Sequence, residues 1–477
     1  MPGCRPRGGL VSDTNIRIYS TLTKRKEPLT TGPEGTVRIY ACGPTVYSRI
    51  HIGNARPFVV FSVLKRFLDR VGHPAVLVCN VTDVNDKIYD AGTREGISST
   101  DAAAKYTKAY FDDTDRLGLG RPTHEPTVVE TMPQIIELIA DLVDKGLAYP
   151  AAGDVYFRVE RFPGYGKLSG RKTEELQSTD PGEGKESPLD FALWKGHKPG
   201  EDMFWDSPWG PGRPGWHIEC SAMAEKLLGV EFEIHGGGID LAFPHHENEI
   251  AQSEGARDRP FAKIWMHNEM LELAGEKMAK SVGNIASLHE VLDAWPRDTI
   301  IAYFLTSHYR SKLPFSPDRL EEAGKRYERI KNALRSLDNA IAAPGEGKDA
   351  ALAVTLTEGR AKFFAALSDD FNTPEAWAAL DGLVRGVNLA VEGERPGADQ
   401  LREAKALIVE LLDVFALAPS EDEASAGIPA EVQELADARL AARAAKDFAE
   451  SDRLRDAIAA LGWEARDTAS GQELRPA

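Results

Sequence analysis

Cysteine is scarce in this chain. Four occur in 477 residues, Cys4, Cys42, Cys79 and Cys220, and their irregular spacing excludes a disulfide framework and points to a reducing compartment, the cytoplasm. Long apolar runs are missing too. No stretch of about 18 apolar residues occurs, and the N-terminus, MPGCRPRGGLVSDTN, carries charge but no apolar core region. Neither a membrane span nor a secretory leader is expected. Basic residues are outnumbered: 57 Lys and Arg against 74 Asp and Glu give a net charge of −17. That balance excludes a surface that binds nucleic acid all over and leaves room only for a local basic face.

What is present is organised around the stretch Trp216 to Gly255, which gathers Cys220, His235, Asp240, His245, His246, Glu247 and Glu249. Its pattern predicts a helix over Trp216–Leu228, a buried strand over Val230–His235, a turn at Gly236–Gly238 and a helix from Pro244 to Glu254. His245 and Glu249, four residues apart on a helix, share one face and can grip one ion. With Cys220 they offer thiolate, imidazole and carboxylate, a set that suits zinc better than calcium or magnesium. A fourth ligand has to come from elsewhere.

An apolar strand over Thr36–Ala41 leads into CGPTVYSRIHIGNARP, after which Pro57 is expected to open a helix over Phe58–Val71, and Ala75–Asn80 forms the next strand. This β-loop-α-β order is the first half of a parallel nucleotide-binding sheet, with its loop at a helix N-terminus that favours phosphate. Cys42 lies at the mouth of that first strand and is the candidate for the missing ligand. Taken singly, Cys42 and Cys220 read more readily as small buried hydrophobes than as ligands, and His245 with Glu249 more readily as an ordinary helix-surface pair; only the four together point to zinc. Further on, KMAKS at Lys277–Ser281 sets two lysines three apart beyond an apolar strand at Lys263–Met266, a pair able to neutralise a polyphosphate.

Between these parts, Pro133–Lys145 reads as a helix, Asp154–Val159 as a strand and Pro163–Gly215 as a loop-rich region. Residues 196–215 hold nine Pro or Gly, yet Trp194, Trp205, Trp209 and Trp216 lie around them, which predicts an ordered, packed loop. Beyond Pro296 the periodicity is helical: Asp298–Ser307, Pro317–Ala342, Leu352–Leu367, Thr373–Glu392 and Ala398–Phe415 form a bundle. Residues 319–335 carry six basic and three acidic side chains, either a phosphate-facing surface or a solvated helix face. Pro419–Gly427 is an acidic linker, and Pro429–Ala477 a helix pair with a short extended tail.

HIGN at His51–Asn54 and KMAKS, about 225 residues later, resemble the HIGH and KMSKS signatures of class I aminoacyl-tRNA synthetases. ACGPTVYSRIHIGN, NVTDVNDKI from Asn80, GWHIECSAM from Gly215, HGGGIDLAFPHHENEIAQSE and WMHNEM from Trp265 are similar to the cysteinyl-tRNA synthetases in particular. The resemblance runs from about Ile16 to the C-terminus. Asn54, Ala279 and Glu269 depart from the family pattern.

The resemblance implies a Rossmann-like α/β parallel-sheet catalytic core with a connective insertion, then an α-helical bundle and a small anticodon-binding domain. In numbers, a disordered tail at 1–13 precedes the core's first half at 14–130, the insertion at 131–215 and the second half with the zinc site at 216–268. The KMSKS-type loop and stem-contact region follow at 269–316, the bundle at 317–418, a linker at 419–428 and the anticodon-binding domain at 429–477. It further implies one zinc ion per chain on Cys42, Cys220, His245 and Glu249, binding the thiolate of substrate L-cysteine, with Thr82 and Trp216 lining the amino-acid pocket and His235, His246 and His267 orienting the ligands. ATP, with magnesium, would meet His51, Asn54, Gly236, Gly238, Asp240, Lys277 and Lys280, and the tRNA-Cys anticodon Arg443, Phe448, Asp452 and Asp467. Phe448 reads equally well as a core residue. The expected product is cysteinyl-tRNA, made by a monomer without membrane partners and without an editing domain. A ligase joining cysteinyl-adenylate to an amino-sugar is the alternative, disfavoured by the segment after the bundle, and a zinc hydrolase is further off because HHENE lacks the HExxH spacing.

Overall fold

The computed structural model describes residues 15–171, 184–273, 276–277, 286–419, 430–461, 463–468 and 471–476. The expected tail at 1–13, most of the linker and Lys280 lie outside the described residues.

A short hairpin, β1 (Arg17–Ser20) and β2 (Arg25–Pro28), comes first. Then follow β3 (Val37–Ala41), α1 (Ile52–Arg70), β4 (Ala75–Cys79), α2 (Asp86–Glu95), α3 (Ser99–Asp115) and α4 (Val128–Asp144). The insertion contains β5 (Ala148–Ala151), β6 (Asp154–Phe157), β7 (Phe191–Gly196) and β8 (Gly212–Pro214). The chain returns through α5 (Trp216–Leu228), β9 (Phe232–Gly238), α6 (Glu247–Arg257), β10 (Ala262–Asn268), β11 (Leu271–Leu273) and β12 (Glu276–Lys277). Next come α7 (Leu288–Ala294), α8 (Arg297–Leu305), β13 (Leu313–Phe315) and the long helices α9 (Pro317–Ala342), α10 (Ala350–Ser368), α11 (Thr373–Glu392) and α12 (Ala398–Val414). The C-terminal segment is α13 (Ala430–Ala444), α14 (Phe448–Ala460), β14 (Trp463–Thr468) and β15 (Gly471–Pro476).

The central sheet runs β10-β9-β3-β4 and is parallel throughout. Its strands are apolar on both faces, as strands covered on both sides must be. Ile39 and Leu77 belong to a core shared with α1 and the helical bundle. Tyr40 and Val78 belong to a second core shared with α4, α5, α6 and the insertion. β3 and β9 lie side by side although about 190 residues separate them in sequence, so the residues at their carboxyl ends meet at one edge, where open α/β sheets bind ligands.

Several elements differ from the sequence pattern. α1 starts at Ile52, not after Pro57: His51 Nδ1 accepts from the Asn54 N–H at 3.2 Å and Asn54 Oδ1 accepts from the His51 N–H at 3.3 Å, a reciprocal cap that fixes the first turn. α4 repeats the device with Thr127 and Glu130 and carries Pro133 inside. An interior proline loses one hydrogen bond, at about 3 kcal/mol. In α1 the burial of Phe58, Val59, Phe61, Leu64 and Phe67 offsets it, at roughly 1.5–3 kcal/mol per side chain.

Gly236–Gly238 are not a turn but the last residues of β9, paired with Met266–Asn268. The helix expected from Pro244 begins at Glu247, after a short 3-10 turn at Ile239–Leu241 and a π-type turn at Ala242–His246, because Phe243 is extended (φ −144°, ψ 133°). The loop-rich region contains the strand pair β7 and β8, with Trp194 and Trp209 6.2 Å apart, and the C-terminal tail folds back as the hairpin β14–β15. Most basic side chains of 319–335 are spent on ion pairs: Arg319 with Glu322, Lys325 with Glu321, Arg326 with Asp381, and Lys331 and Arg335 with Glu328. The solvated-face reading therefore fits that helix better.

Candidate active site

The carboxyl ends of β3 and β9, the first turns of α5 and the start of α6 converge on one buried cluster. Cys42 ends β3 and its N–H is held by Gly236 O at 3.0 Å. A side chain at Gly236 would put its Cβ 2.2 Å from Phe61 Cζ and 2.5 Å from Met266 O, so only glycine permits this close passage of β9. Cys42 Sγ lies 3.8 Å from Cys220 Sγ and 3.6 Å from Glu249 Oε1. His245 Nε2 is 3.0 Å from the same Glu249 oxygen. Cys42, Cys220, His245 and Glu249, drawn from four elements, thus stand together, none more than 8% exposed.

An overlapping subset is also compact: donor atoms of Cys42, His245, His246 and Glu249 all lie within 4.8 Å of one another. His246 Nε2 is 3.3 Å from Cys42 Sγ, while its Nδ1 is 2.7 Å from His267 Nε2, and His267 Nδ1 in turn is 2.8 Å from Thr21 Oγ1. With Thr21 donating to His267, His267 to His246 and His246 to the Cys42 sulfur, each neutral ring is satisfied in one tautomer. That arrangement makes His246 a donor to Cys42. His235 Nε2 sits 2.8 Å from the second Glu249 oxygen and orients the carboxylate from behind.

Electrostatics support this division of roles. Hydrogen bonding to Cys42 lowers the Cys220 thiol to about 6 despite burial, while burial first and the Cys220 contact second push the Cys42 thiol up. Burial also works to raise Glu249, but the His235 and His245 imidazoles hold it at about 2. Burial disfavours a charged His245, yet Glu249 and Cys220 raise it to about 10. Burial drives His217 and His246 well below the ordinary imidazole value and His267 to about 3. The cluster therefore combines anionic sulfur and oxygen, which call for a cation, with neutral rings that orient them. Sulfur, nitrogen and oxygen donors in one buried group are a set able to hold a metal ion of borderline softness.

Beside this cluster opens a cavity of about 290 Å³ lined by Cys42, His51, Gly53, Asn54, Trp216, Gly238, Asp240 and Asn268. Trp216 is 38% exposed and its ring lies 4.4 Å from that of His245, so the indole is a wall of the cavity more than a core residue. Thr82 does not line it. Thr82 is buried, accepting from Asn80 Nδ2 at 3.2 Å and donating to Glu219 Oε2 at 3.3 Å. The Lys277 backbone lies in β12, paired with β11. In the C-terminal segment Phe448 is 64% exposed and so not core. Arg443 and Asp452 are exposed, and the Asp467 backbone lies in β14.

Sequence reasoning missed His217, whose Nδ1 is 2.9 Å from His245 Nδ1, and the buried Glu219. Both flank residues already singled out in Trp216-His217-Ile218-Glu219-Cys220, and an acidic residue on the buried side of an amphipathic helix was the available signal.

The description "tRNA synthetases class I (C) catalytic domain" matches residues 28–325, "DALR domain" residues 362–418 and "Cysteinyl-tRNA ligase anticodon binding domain" residues 425–475. Among solved structures, a Mycobacterium tuberculosis methionyl-tRNA synthetase with methionyl-adenylate superposes at TM-score 0.56 and 13% identity, covering 80% of this chain and 90% of that one. A LeuRS–tRNA–LeuAMS complex of Agrobacterium radiobacter superposes at 0.59 and 12%, covering 83% and 87%. The fold is that of the class I aminoacyl-tRNA synthetases. Cysteine–tRNA ligases of Caldicellulosiruptor saccharolyticus and Geobacter sulfurreducens are 43% and 44% identical to the chain over 96% of its length and 99% and 98% of theirs. The chain belongs to the cysteine–tRNA ligase family.

Proposed function

We propose that the chain activates L-cysteine with ATP and transfers the cysteinyl group to the 3′ end of tRNA-Cys, with Cys42, Cys220, His245 and Glu249 holding one zinc ion. The observation that carries this reading is the meeting of those four side chains beside the cavity that opens onto the HIGN turn. Their soft and borderline donors fit zinc, which would bind the substrate sulfur as thiolate and so separate cysteine from serine. A purely apolar pocket separates near-isosteres by only about 1–3 kcal/mol. His246, His235 and His267 hold the ligands in place.

The carboxylate of cysteine attacks the α-phosphorus of ATP, pyrophosphate leaves, and a ribose hydroxyl of the tRNA terminus then displaces AMP. No protein nucleophile is required, so the side chains position and neutralise. Because His51 Nδ1 accepts from Asn54 N–H, the neutral ring carries its proton on Nε2, a donor for phosphate. The Asn54 carbonyl is committed to the cap, which leaves its amide N–H groups for the same task. Asn54 thus keeps a donor in place of the family's second histidine. Lys277 and Lys280, matching the lysines of KMSKS, are assigned to the phosphates, magnesium accompanies ATP, and Gly238 and Asp240 take the adenosine, with Gly236 admitting the strand behind it. Trp216 walls the amino-acid site, and Thr82, buried away from the cavity and hydrogen-bonded to Asn80 and Glu219, does not contact the substrate directly. Arg443, Phe448, Asp452 and Asp467 are assigned to the anticodon, with the exposed Phe448 ring as a stacking surface.

The test is charging of total tRNA with tritiated cysteine, before and after zinc is stripped with a chelator. Zinc-dependent charging with cysteine and none with serine is expected. Charging that survives complete zinc removal sinks the metal assignment, and no charging at all sinks the whole reading.

A further inference from the structure

Arg56 lies in α1, two residues past Asn54, and is 1% exposed. Among the described residues no carboxylate lies within ion-pair distance of it. Its guanidinium is held by backbone carbonyls alone. Nη1 donates to Glu269 O at 2.5 Å and Met270 O at 3.3 Å, and Nη2 to His308 O at 3.1 Å and Ser311 O at 2.7 Å, while Nε has no partner among the described residues. Burial lowers its pKa to about 10. Burying a cation without a counter-charge is expensive, and an apolar side chain would fill the same space at lower cost. What an apolar side chain cannot do is bind two separate segments at once.

Those two segments are well defined. Asn268, Glu269, Met270 and Leu271 line the same cavity as His51 and Asn54 and run into β11. His308–Ser311 runs into β13, which pairs in parallel with β11, and β11 pairs with β12, the strand that carries Lys277. The two prongs of one planar fork therefore fix, from the HIGN helix, the segments leading into β11 and β13, the two strands on which β12 with Lys277 is built in the order β12-β11-β13.

We infer that Arg56 is a positioning residue for the nucleotide: by clamping the 269–270 and 308–311 backbone to α1 it sets the distance between the two walls of the ATP site. This rests on the function proposed above. None of the contacts that build the Cys42–Cys220–His245–Glu249 cluster involves Arg56, so cysteine recognition should be insensitive to it. A lysine has one point of attachment in place of a two-pronged fork and cannot satisfy both segments.

The experiment is cysteine-dependent ATP–pyrophosphate exchange with the full-length, zinc-loaded protein and its Arg56→Lys and Arg56→Ala variants. Expected is a rise in KM for ATP of about tenfold or more with KM for cysteine changed by less than about threefold. Millimolar guanidinium should restore part of the ATP affinity to Arg56→Ala. An unchanged KM for ATP in Arg56→Lys overturns the inference. So does a parallel rise of both KM values, or loss of the folded, zinc-binding state in Arg56→Lys, since a purely structural residue would behave that way. Absence of cysteine-dependent exchange in the unsubstituted protein would instead sink the proposed function, and the inference with it.

Discussion

At the scale of single residues, the cluster poses a choice between neighbours. The proposed ligands are Cys42, Cys220, His245 and Glu249, whereas a compact group of donor atoms within 4.8 Å of one another has His246 in place of Cys220. With Thr21 donating to His267 and His267 to His246, the chain Thr21–His267–His246–Cys42 favours Cys220, because His246 then has one nitrogen occupied by His267 and donates from the other toward Cys42. His246→Gln should therefore keep close to one zinc per chain by elemental analysis, with weaker affinity of about 10–100-fold. Cys220→Ala and His245→Gln should lose the metal. Zinc-free His246→Gln alongside zinc-replete Cys220→Ala would reverse the assignment. The sequence made Cys220, His245 and Glu249 legible because helical spacing is local, and Cys42 because it ends a strand at a predicted ligand-binding edge. Spacing from Glu249 singled out His245 over His246, but it could not show that His246 also lies 3.3 Å from the Cys42 sulfur, a contact made across the sheet edge.

Elements were legible where their signals were local and unopposed. Pro317–Ala342 and Thr373–Glu392 match α9 and α11 residue for residue, since each begins with a capping residue before proline and continues in unbroken apolar periodicity. The errors cluster where two local signals compete. Proline is a helix starter and also a tolerated interior residue, and at Pro57 and Pro133 the reciprocal caps at His51 and Thr127, each six residues upstream, prevailed. Gly236–Gly238 read as a turn because three glycines favour one, but pairing with β10 and the proximity of Phe61 and Met266 make them strand. If the caps place the helix starts, Thr127→Ala should destabilise the protein by about 1 kcal/mol in urea unfolding without altering KM for ATP. No change in stability would mean that the α4 cap does not set its start.

For the whole molecule, the parallel sheet is the device that makes chemistry out of distant sequence. β3 brings Cys42, β9 brings Gly236 to Gly238, and the helices that follow deliver His51, Cys220, His245 and Glu249 to one edge. Strand order is set by non-local packing, so composition alone reveals the parts but not their adjacency, and the resemblance of separated motifs supplied it. The net charge of −17 leaves RNA binding to selected faces, and α9 is less basic in effect than its composition because most of its cations are paired. The most direct measurement of the central claim, that a zinc ion on this cluster reads the substrate sulfur, is zinc K-edge X-ray absorption on the full-length protein with and without ligand. The expected result is a rise in zinc–sulfur neighbours at about 2.3 Å when L-cysteine is added, and none with L-serine. An unaltered sulfur shell on saturation with L-cysteine would contradict it.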